Sequence, residues 1–543
     1  MKAMMMKRAL RVSDILDYAA EVHPTAGIVS ARTEGDIHHQ TYPETRARVA
    51  QLTHALKKLG VADGQRVATL AWNTHRHFEL YYAIPAAGGV CHTINPRLSA
   101  EQMVYITHHA DDRLLFTDTT FVPVLEALYS ELPAGLRIVV MTDRAHMPDS
   151  KLELLCYEEL LDGEPETFDW PEIDENDAMG LCYTSGTTGH PKGALYSHRS
   201  TVLHAMMIAV ALPDALQEGR KVLPVVPMFH VNAWGLPYAG PLTGVTLVMP
   251  GPNLDGEKLW HLMDSEDVYS AWGVPTVWLS LLAAIKEHGR KPHSFHDVVI
   301  GGSAAPRSMI ETFEDMGVNV CHAWGMTEMS PLGTQSNLPI YMWDAPHDEK
   351  MAAKAKQGRR VFGVDLKIVD ANGNRLPHDG ETQGALHVRG NSIVSGYFNN
   401  EEATREAMDA EGWFATGDIA LIDKRGYLTL TDRAKDLIKS GGEWISSIDL
   451  ENVVMAHPKV ANCAAIAVPH PKWDERPVIV IVPTEDGTPE RAEIMEMLSE
   501  HFAKWQLPDD IVFTDTLPMT ATGKVSKLTL RQRYQDHVLP SVE

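Results

Sequence analysis

The chain reads as an α/β protein followed by a small all-β unit and a separate C-terminal domain, on three observations. Its first half alternates amphipathic helical runs with short apolar ones. From about Val361 the helices thin out and short strands recur between turns, and after "TDRAKDLIKSGGEW" a fresh α/β pattern begins. At 543 residues with 44% hydrophobic content, the chain can bury a large core and exceeds one ordinary domain.

Taken in order, "YPETRARVAQLTHALKKLG" at 42–60 has helical apolar spacing, while "QRVATLAWN" at 65–73 and "LLFTD" at 114–118 read as strands. Helices alternating with strands predict a largely parallel sheet. The stretch 223–250 carries no charge and is long enough to span a bilayer, but its prolines, glycines, His230 and Asn232 argue for a buried wall of strands and turns. Next, "VDLKIVDANGNRLP", "GALHVRG" and "GYLTLTD" predict a small β-barrel-like unit. Past a boundary near Lys435 come a helix from about Ser446, strands "CAAIAVP" and "PVIVIVP", and a helix within 489–505. A run of about a hundred residues in that pattern can stand as its own domain.

Composition narrows the function. Lysine plus arginine number 48 against 72 aspartate plus glutamate, a formal charge of -24, so no broad nucleic-acid footprint is expected. Cys91, Cys156, Cys182, Cys321 and Cys463 show neither CxxC spacing nor a His/Cys metal cluster, which predicts free, mostly buried thiols in a reducing compartment. The start, "MKAMMMKRALRVSD", lacks the apolar core of a secretory signal. A cytoplasmic protein with no integral membrane segment is expected.

The sharpest local signal is "LCYTSGTTGHPKGALYSHRS" at 181–200, which joins one strand-like run to another. Its glycines let backbone N–H groups converge on an anion, and the hydroxyls of Thr184, Ser185, Thr187 and Thr188 add donors. It is no Walker A loop, because His190, Pro191 and Lys192 follow Gly189 where Lys and Ser or Thr are required. No HRD or DFG motif points to a kinase. By itself the loop is equally a phosphate cradle or a Gly/Ser-rich surface turn.

Read with its surroundings, "YTSGTTGHPKGALYSHRS" resembles the signature of the adenylate-forming enzymes, which include the acyl-CoA synthetases. Further motifs of that family follow in order: "GGSAAP" at 301–306, "HAWGMTE" at 322–328, "GWFATGD" at 412–418, "DRAKDLIKSGGEWIS" at 432–446 and "PMTATGKVSK" at 518–527. The resemblance spans most of the chain. It implies a large N-terminal domain, 1–433, of two α/β subdomains plus the β-barrel-like unit. A hinge at 434–435 then leads to a small mobile α+β domain, 436–543. It also implies a two-step reaction in which ATP and a carboxylic acid give an acyl-AMP, and coenzyme A then displaces AMP.

Residue by residue, the resemblance puts the ATP phosphates on Thr184, Ser185, Gly186, Thr187, Thr188, Gly189 and Lys192. It gives Mg²⁺ to Glu328 with Thr184, the ribose to Asp418 with Arg433 nearby, and the adenine to Ser303, Ala304 and Ala305 and to the run His322, Ala323, Trp324, Gly325, Met326 and Thr327. Trp324 would stack on the base. Lys524 matches the catalytic lysine, a mobile charge for the carboxylate and α-phosphate, whereas Lys527 reads as a solvated surface lysine. Lys435 falls at the hinge, and Ser440, Gly441, Gly442, Glu443 and Trp444 would line the pantetheine channel after the small domain swings.

His230 follows Phe229 where amino-acid-activating relatives carry aspartate, so an ammonium substrate is disfavoured. His230 and Trp234 look like the gate and wall of an acyl pocket, with Val231, Gly235, Trp272, Gly301 and Gly302 as neighbours. A bulky Trp234 favours short or medium acids. Among acyl-CoA synthetases the chain is most similar to the medium-chain enzymes and the ligases of 3-methylmercaptopropionate, a short thioether acid. A homodimer is a family-level expectation. Two alternatives stay open: acyl transfer to a carrier protein, and a binding protein that has lost the chemistry, although Lys524, Glu328 and Asp418 are all present.

Overall fold

The computed structural model describes residues 1, 3–184, 190–441, 443–520 and 523–540. Two large sheets and one small sheet organise it. In the first, six parallel strands run Leu154–Cys156, Arg137–Val140, Leu114–Thr117, Arg66–Leu70, Val90–Thr93 and Ala178–Tyr183, and Gly193–Ser197 pairs antiparallel on the edge. Strands such as Val90–Thr93 and Leu114–Thr117 are buried throughout, as expected where helices cover both faces. The helix Tyr42–Lys58 opens on a capping box, Thr41 with Glu44, and carries Lys57 and Lys58 in its last turn, where they complement the helix dipole.

The second sheet has 13 strands. Its middle is parallel, from Gly27–Ala31 through Thr246–Met249, Lys221–Pro224, Ser270–Gly273 and Asp297–Ile300 to Asn319–Gly325. Beyond Asn319–Gly325 the same sheet continues antiparallel through Leu332–Gln335 and Gly358–Arg360 to the strands of 364–433. The expected all-β unit is therefore present but does not close into a barrel. Its edge is absorbed by Leu332–Gln335, a strand that lies outside the turn-rich text.

The uncharged stretch 223–250 is buried, as expected, yet it is not only strand and turn. Between the strands Lys221–Pro224 and Thr246–Met249 lies a helix, Leu236–Thr243, with Pro237 in its first turn and Gly244 left-handed at its end. Among the described residues no helix is long and apolar enough to cross a membrane. The third sheet carries Val460–His470 and Asp474–Pro483, with the helix Ser447–Val454 capped by Ser446 as the sequence predicts. All five cysteines are free and buried.

Candidate functional site

A cavity of about 750 Å³ lies over the carboxyl ends of the parallel strands Ser270–Gly273, Asp297–Ile300 and Asn319–Gly325. That is where open α/β sheets bind ligands, because the loops there diverge and leave a crevice. The predicted runs 301–304 and 322–328 line it, together with Thr184, Lys192, His230, Val231, Trp234, Trp272, Asp418, Arg433, Lys435 and Lys524. Ala305 is buried behind this wall, its N–H directed at His322 Nε2 at 3.3 Å.

Thr184 follows the strand Ala178–Tyr183 and is pinned to Lys192 on the far side of residues 185–189. Its N–H donates to Lys192 O at 2.9 Å, and its hydroxyl accepts from Lys192 N at 3.3 Å. Ser185, Gly186, Thr187, Thr188 and Gly189 lie outside the described residues. On the far stem the His190 ring stacks on Tyr105, centroids 4.1 Å apart. Opposite Thr184, Glu328 is buried and accepts a 2.7 Å bond from the Tyr397 hydroxyl on Oε1. Burial pushes the Glu328 carboxyl up, and Tyr397, Arg433 and Lys192 act against it. Tyr397 reaches this position because the neighbouring Phe398 N–H donates to Gly193 O at 2.8 Å, tying 397–398 to the loop stem.

Asp418 sits buried at the cavity floor, where both its oxygens are engaged. Arg433 Nε lies 2.7 Å from Oδ1, and Trp324 Nε1 donates to Oδ2 at 3.1 Å. The Trp324 indole is buried against Gly333, where a Cβ would come within 2.8 Å of Cζ3. The tryptophan thus does two things at once: it presents an aromatic wall and orients the acid.

Lys524 enters from the C-terminal part of the chain. A Cβ on Gly302 would stand 3.5 Å from Lys524 Cε, and Gly302 has φ +83°, so a glycine here gives the lysine its seat. Burial and the Arg433 charge hold the ammonium down to about 8, with Asp418 and Glu328 pulling the other way. Burial and Lys524 push His230 down to about 3, so its imidazole is neutral at physiological pH. The loop carrying Lys524 is tied down by Thr276, whose hydroxyl donates to Gly523 O at 3.2 Å.

Between His230 and the helix at 236 the backbone turns left-handed. Val231, Asn232, Ala233 and Trp234 have φ of 48°, 52°, 46° and 56°, and Gly235 follows at 82°. Such a run is strained in L-residues, and the surroundings hold it. Asn73 bonds Pro224 O, Val226 O and Met228 N at 2.8, 3.0 and 2.6 Å, and Tyr81 donates to Met228 O and Asn232 Oδ1. Gly235 packs on His204 and Ile208, and Trp234 lies over the bare backbone of Gly301 and Gly302.

Ser440, Gly441, Glu443 and Trp444, expected in a channel only once the small domain has swung, do not line this cavity. Ser440 bonds Arg476, Gly441 N–H donates to Trp473 O at 2.8 Å, and Trp444 is exposed; Gly442 lies outside the described residues. Nor is Lys527 a solvated lysine, since its Nζ lies 2.7 Å from Glu451 Oε1 and 2.5 Å from Ser447 Oγ. Sequence reasoning also missed Tyr397, Thr276 and Asn73, which carry no motif of their own.

The cavity thus gathers two buried carboxylates, Asp418 and Glu328, and the lysine Lys524 from distant parts of the chain. Residues 16–398 match the AMP-binding enzyme family and residues 449–524 match the AMP-binding enzyme C-terminal domain. The chain belongs to the AMP-binding enzyme family. It is 50% identical to the 3-methylmercaptopropionyl-CoA ligase of Ruegeria lacuscaerulensis, over 99% of each chain. To the medium-chain-fatty-acid–CoA ligase of Ectopseudomonas oleovorans it is 45% identical, over 100% of this chain and 99% of that one. In fold it is similar to the anthranilate CoA ligase AuaEII in complex with anthranoyl-AMP, with TM-score 0.86 and 24% identity over 98% and 99% of the two chains.

Proposed function

We propose that the protein is an ATP-dependent acid:CoA ligase that converts a short or medium-chain carboxylic acid to its acyl-CoA through an acyl-AMP, releasing AMP and pyrophosphate. One observation carries this reading: Lys524, Asp418 with Arg433, and Glu328 all face one cavity although they come from distant parts of the chain. The best single candidate acid is 3-methylmercaptopropionate, supported by the 50% identical relative. A medium-chain fatty acid is the second reading, supported by the 45% identical one. Transfer to a carrier protein is a third outcome that the assay below separates.

A carboxylate oxygen attacks the α-phosphorus of ATP, the bond to the pyrophosphate oxygen breaks, and pyrophosphate leaves. Lys524 as a cation offsets the two anions brought together. Asp418 accepts from the ribose hydroxyls, and the neutral His230 with Trp234 closes the acyl pocket around the reacting carboxylate. A thiol of CoA then attacks the acyl carbon, and AMP leaves. Glu328 and Thr184 fit Mg²⁺, since a carboxylate and a hydroxyl suit a hard cation and Glu328 uses only Oε1 on Tyr397 among the described residues. Such an ion supplies charge neutralisation on the phosphates when bound.

Residues 1–433 form the ATP- and acid-binding part, 434–435 the hinge, and 436–543 the small domain that turns after adenylation. The arrangement with Lys524 in the cavity and Ser440, Gly441, Glu443 and Trp444 outside it supports an adenylating orientation. Rotation about Lys435 would exchange them. Five free, buried thiols fit a cytoplasmic enzyme, and light scattering reads the expected homodimer. The test is AMP release over C2 to C12 acids and 3-methylmercaptopropionate, with and without CoA. Absence of CoA-dependent turnover on every acid refutes the ligase, and adenylation without transfer to free CoA selects the carrier-protein reading.

A further inference from the structure

Far along the chain surface, three side chains converge outside the cavity. Glu257 and His261 stand four residues apart on the helix Gly256–Ser265, the spacing that puts both on one face. His288 ends the helix Pro275–His288, which packs beside it. His261 Nε2 and His288 Nε2 each lie 3.0 Å from the same atom, Glu257 Oε1. The potential ligand atoms all lie within 4.8 Å of one another.

We propose that Glu257, His261 and His288 bind one divalent transition-metal ion of the zinc class, with solvent completing its shell. Zinc bonds of about 2.0–2.1 Å in a tetrahedron separate ligand atoms by about 3.3 Å. The two observed 3.0 Å pairs open by a few tenths of an ångström to admit the ion, and the two histidine nitrogens lie within 4.8 Å of each other. On binding, each Nε2 gives up to solvent the proton it donates to Glu257, the imidazole holds its one remaining or regained proton on Nδ1, the Nε2 lone pair turns to the metal, and the carboxylate supplies charge. Two imidazoles and one carboxylate suit a borderline cation, whereas Mg²⁺ seeks oxygen alone. The site is thus distinct from the Glu328 acid.

His288 is held in place before any ion arrives. Its ring stacks on Trp260 with centroids 3.7 Å apart and planes 5° off parallel. Trp260 is fixed in turn by an Nε1 bond to Arg290 O at 3.1 Å and by the Arg290 guanidinium 4.5 Å from its ring. The Arg290 charge is engaged by Asp264 through two 2.8 Å bonds. A second group, Glu34 with Asp143 and His146, lacks this freedom, because Glu34 already accepts from Arg76 at 2.6 Å and Thr142 at 2.9 Å. A cation there would compete with a guanidinium. Side-chain exposures of 49% for Glu257, 64% for His261 and 26% for His288 leave an open path to the first site.

The test titrates metal-free full-length protein with Zn²⁺ by calorimetry and with Co²⁺ by visible absorption. Glu257→Gln, His261→Gln and His288→Gln are compared with His293→Gln, a surface histidine paired with Asp264. The proposal expects one saturable site with a low-coordinate Co²⁺ band, weakened by about 100-fold or more in each ligand variant, beyond the outer-shell range, and unchanged in His293→Gln. Thermal midpoints should rise with Zn²⁺ in the parent protein and in His293→Gln but not in the three ligand variants. Equal uptake by parent and ligand variants, or no saturable site, overturns it and leaves Glu257 as an acceptor for two surface histidines. Should a variant fail to fold by circular dichroism, the parent Co²⁺ spectrum still decides, since an octahedral or absent band refutes the site.

Discussion

Replacing Lys527 by methionine removes the cation from a compact knot of charges beside the strand Tyr427–Arg433. Lys527 Nζ lies 2.7 Å from Glu451 Oε1, and their side chains are 14% and 19% exposed. Ser447, bonded to the same Nζ, donates from its N–H and hydroxyl to Asp432 Oδ2 at 2.7 and 2.6 Å. Two carboxylates therefore share one ammonium. Breaking a buried pair by removing one partner costs about 3–5 kcal/mol, because the remaining charge keeps its desolvation penalty. At the lower end, about 3 kcal/mol, opening of the surrounding unit becomes roughly 150-fold more frequent. Hydrogen exchange of the amides in Val460–His470 and Asp474–Pro483 reads this directly, and exchange should speed up by that factor. The double variant Lys527→Met/Glu451→Gln should recover most of the loss, since no unpaired charge is left at Glu451. The defect should also shrink as pH falls, because burial already raises the Glu451 carboxyl and protonation removes the stranded charge. Exchange within about threefold of the parent, or a double variant no better than the single one, would refute the reasoning and return Lys527 to the solvated surface.

The role proposed for Lys524 requires its protonated form, and burial holds that ammonium down to about 8. So kcat/KM for acid-dependent ATP–pyrophosphate exchange should hold below that pH and fall about tenfold per unit above it; a flat profile to pH 10 contradicts the role. Asp418→Asn leaves Arg433 without its carboxylate and weakens the ribose bonds, so AMP affinity by calorimetry should drop about 10- to 100-fold, the range for a hydrogen bond to a charged group. Thr276→Val removes the 3.2 Å bond to Gly523 O. It should slow adenylation about fivefold while sparing conversion of supplied acyl-AMP and CoA to thioester, and an equal loss in both half-reactions would sink the positioning role.

Much of the site was legible because its groups are local. Glu328 and Trp324 lie within one run of seven letters, and the strands Ala178–Tyr183 and Gly193–Ser197 form at the short apolar runs that flank residues 184–192 in the text. The Ser446 cap likewise depends on residues three apart. What the text concealed was decided by distant partners. Lys527 meets Ser447 across 80 positions, and Tyr397 meets Glu328 across 69. The all-β unit fails to close because Gly358–Arg360 pairs with both Leu332–Gln335 and Tyr427–Arg433, which no local pattern announces. The helix Leu236–Thr243 hides among prolines and glycines that mark its ends as readily as they mark turns.

The left-handed turn at 231–234 bears on how the cavity can change. Four L-residues there are each disfavoured by about 1–2 kcal/mol, and Val231 and Trp234 line the cavity. Enlarging a pocket by truncation ordinarily sacrifices stability as it gains space. Here Val231→Gly would release backbone strain while opening room, so the two effects oppose one another instead of adding. A lineage with such a turn can widen what its cavity admits by small steps that do not carry it below the threshold for folding.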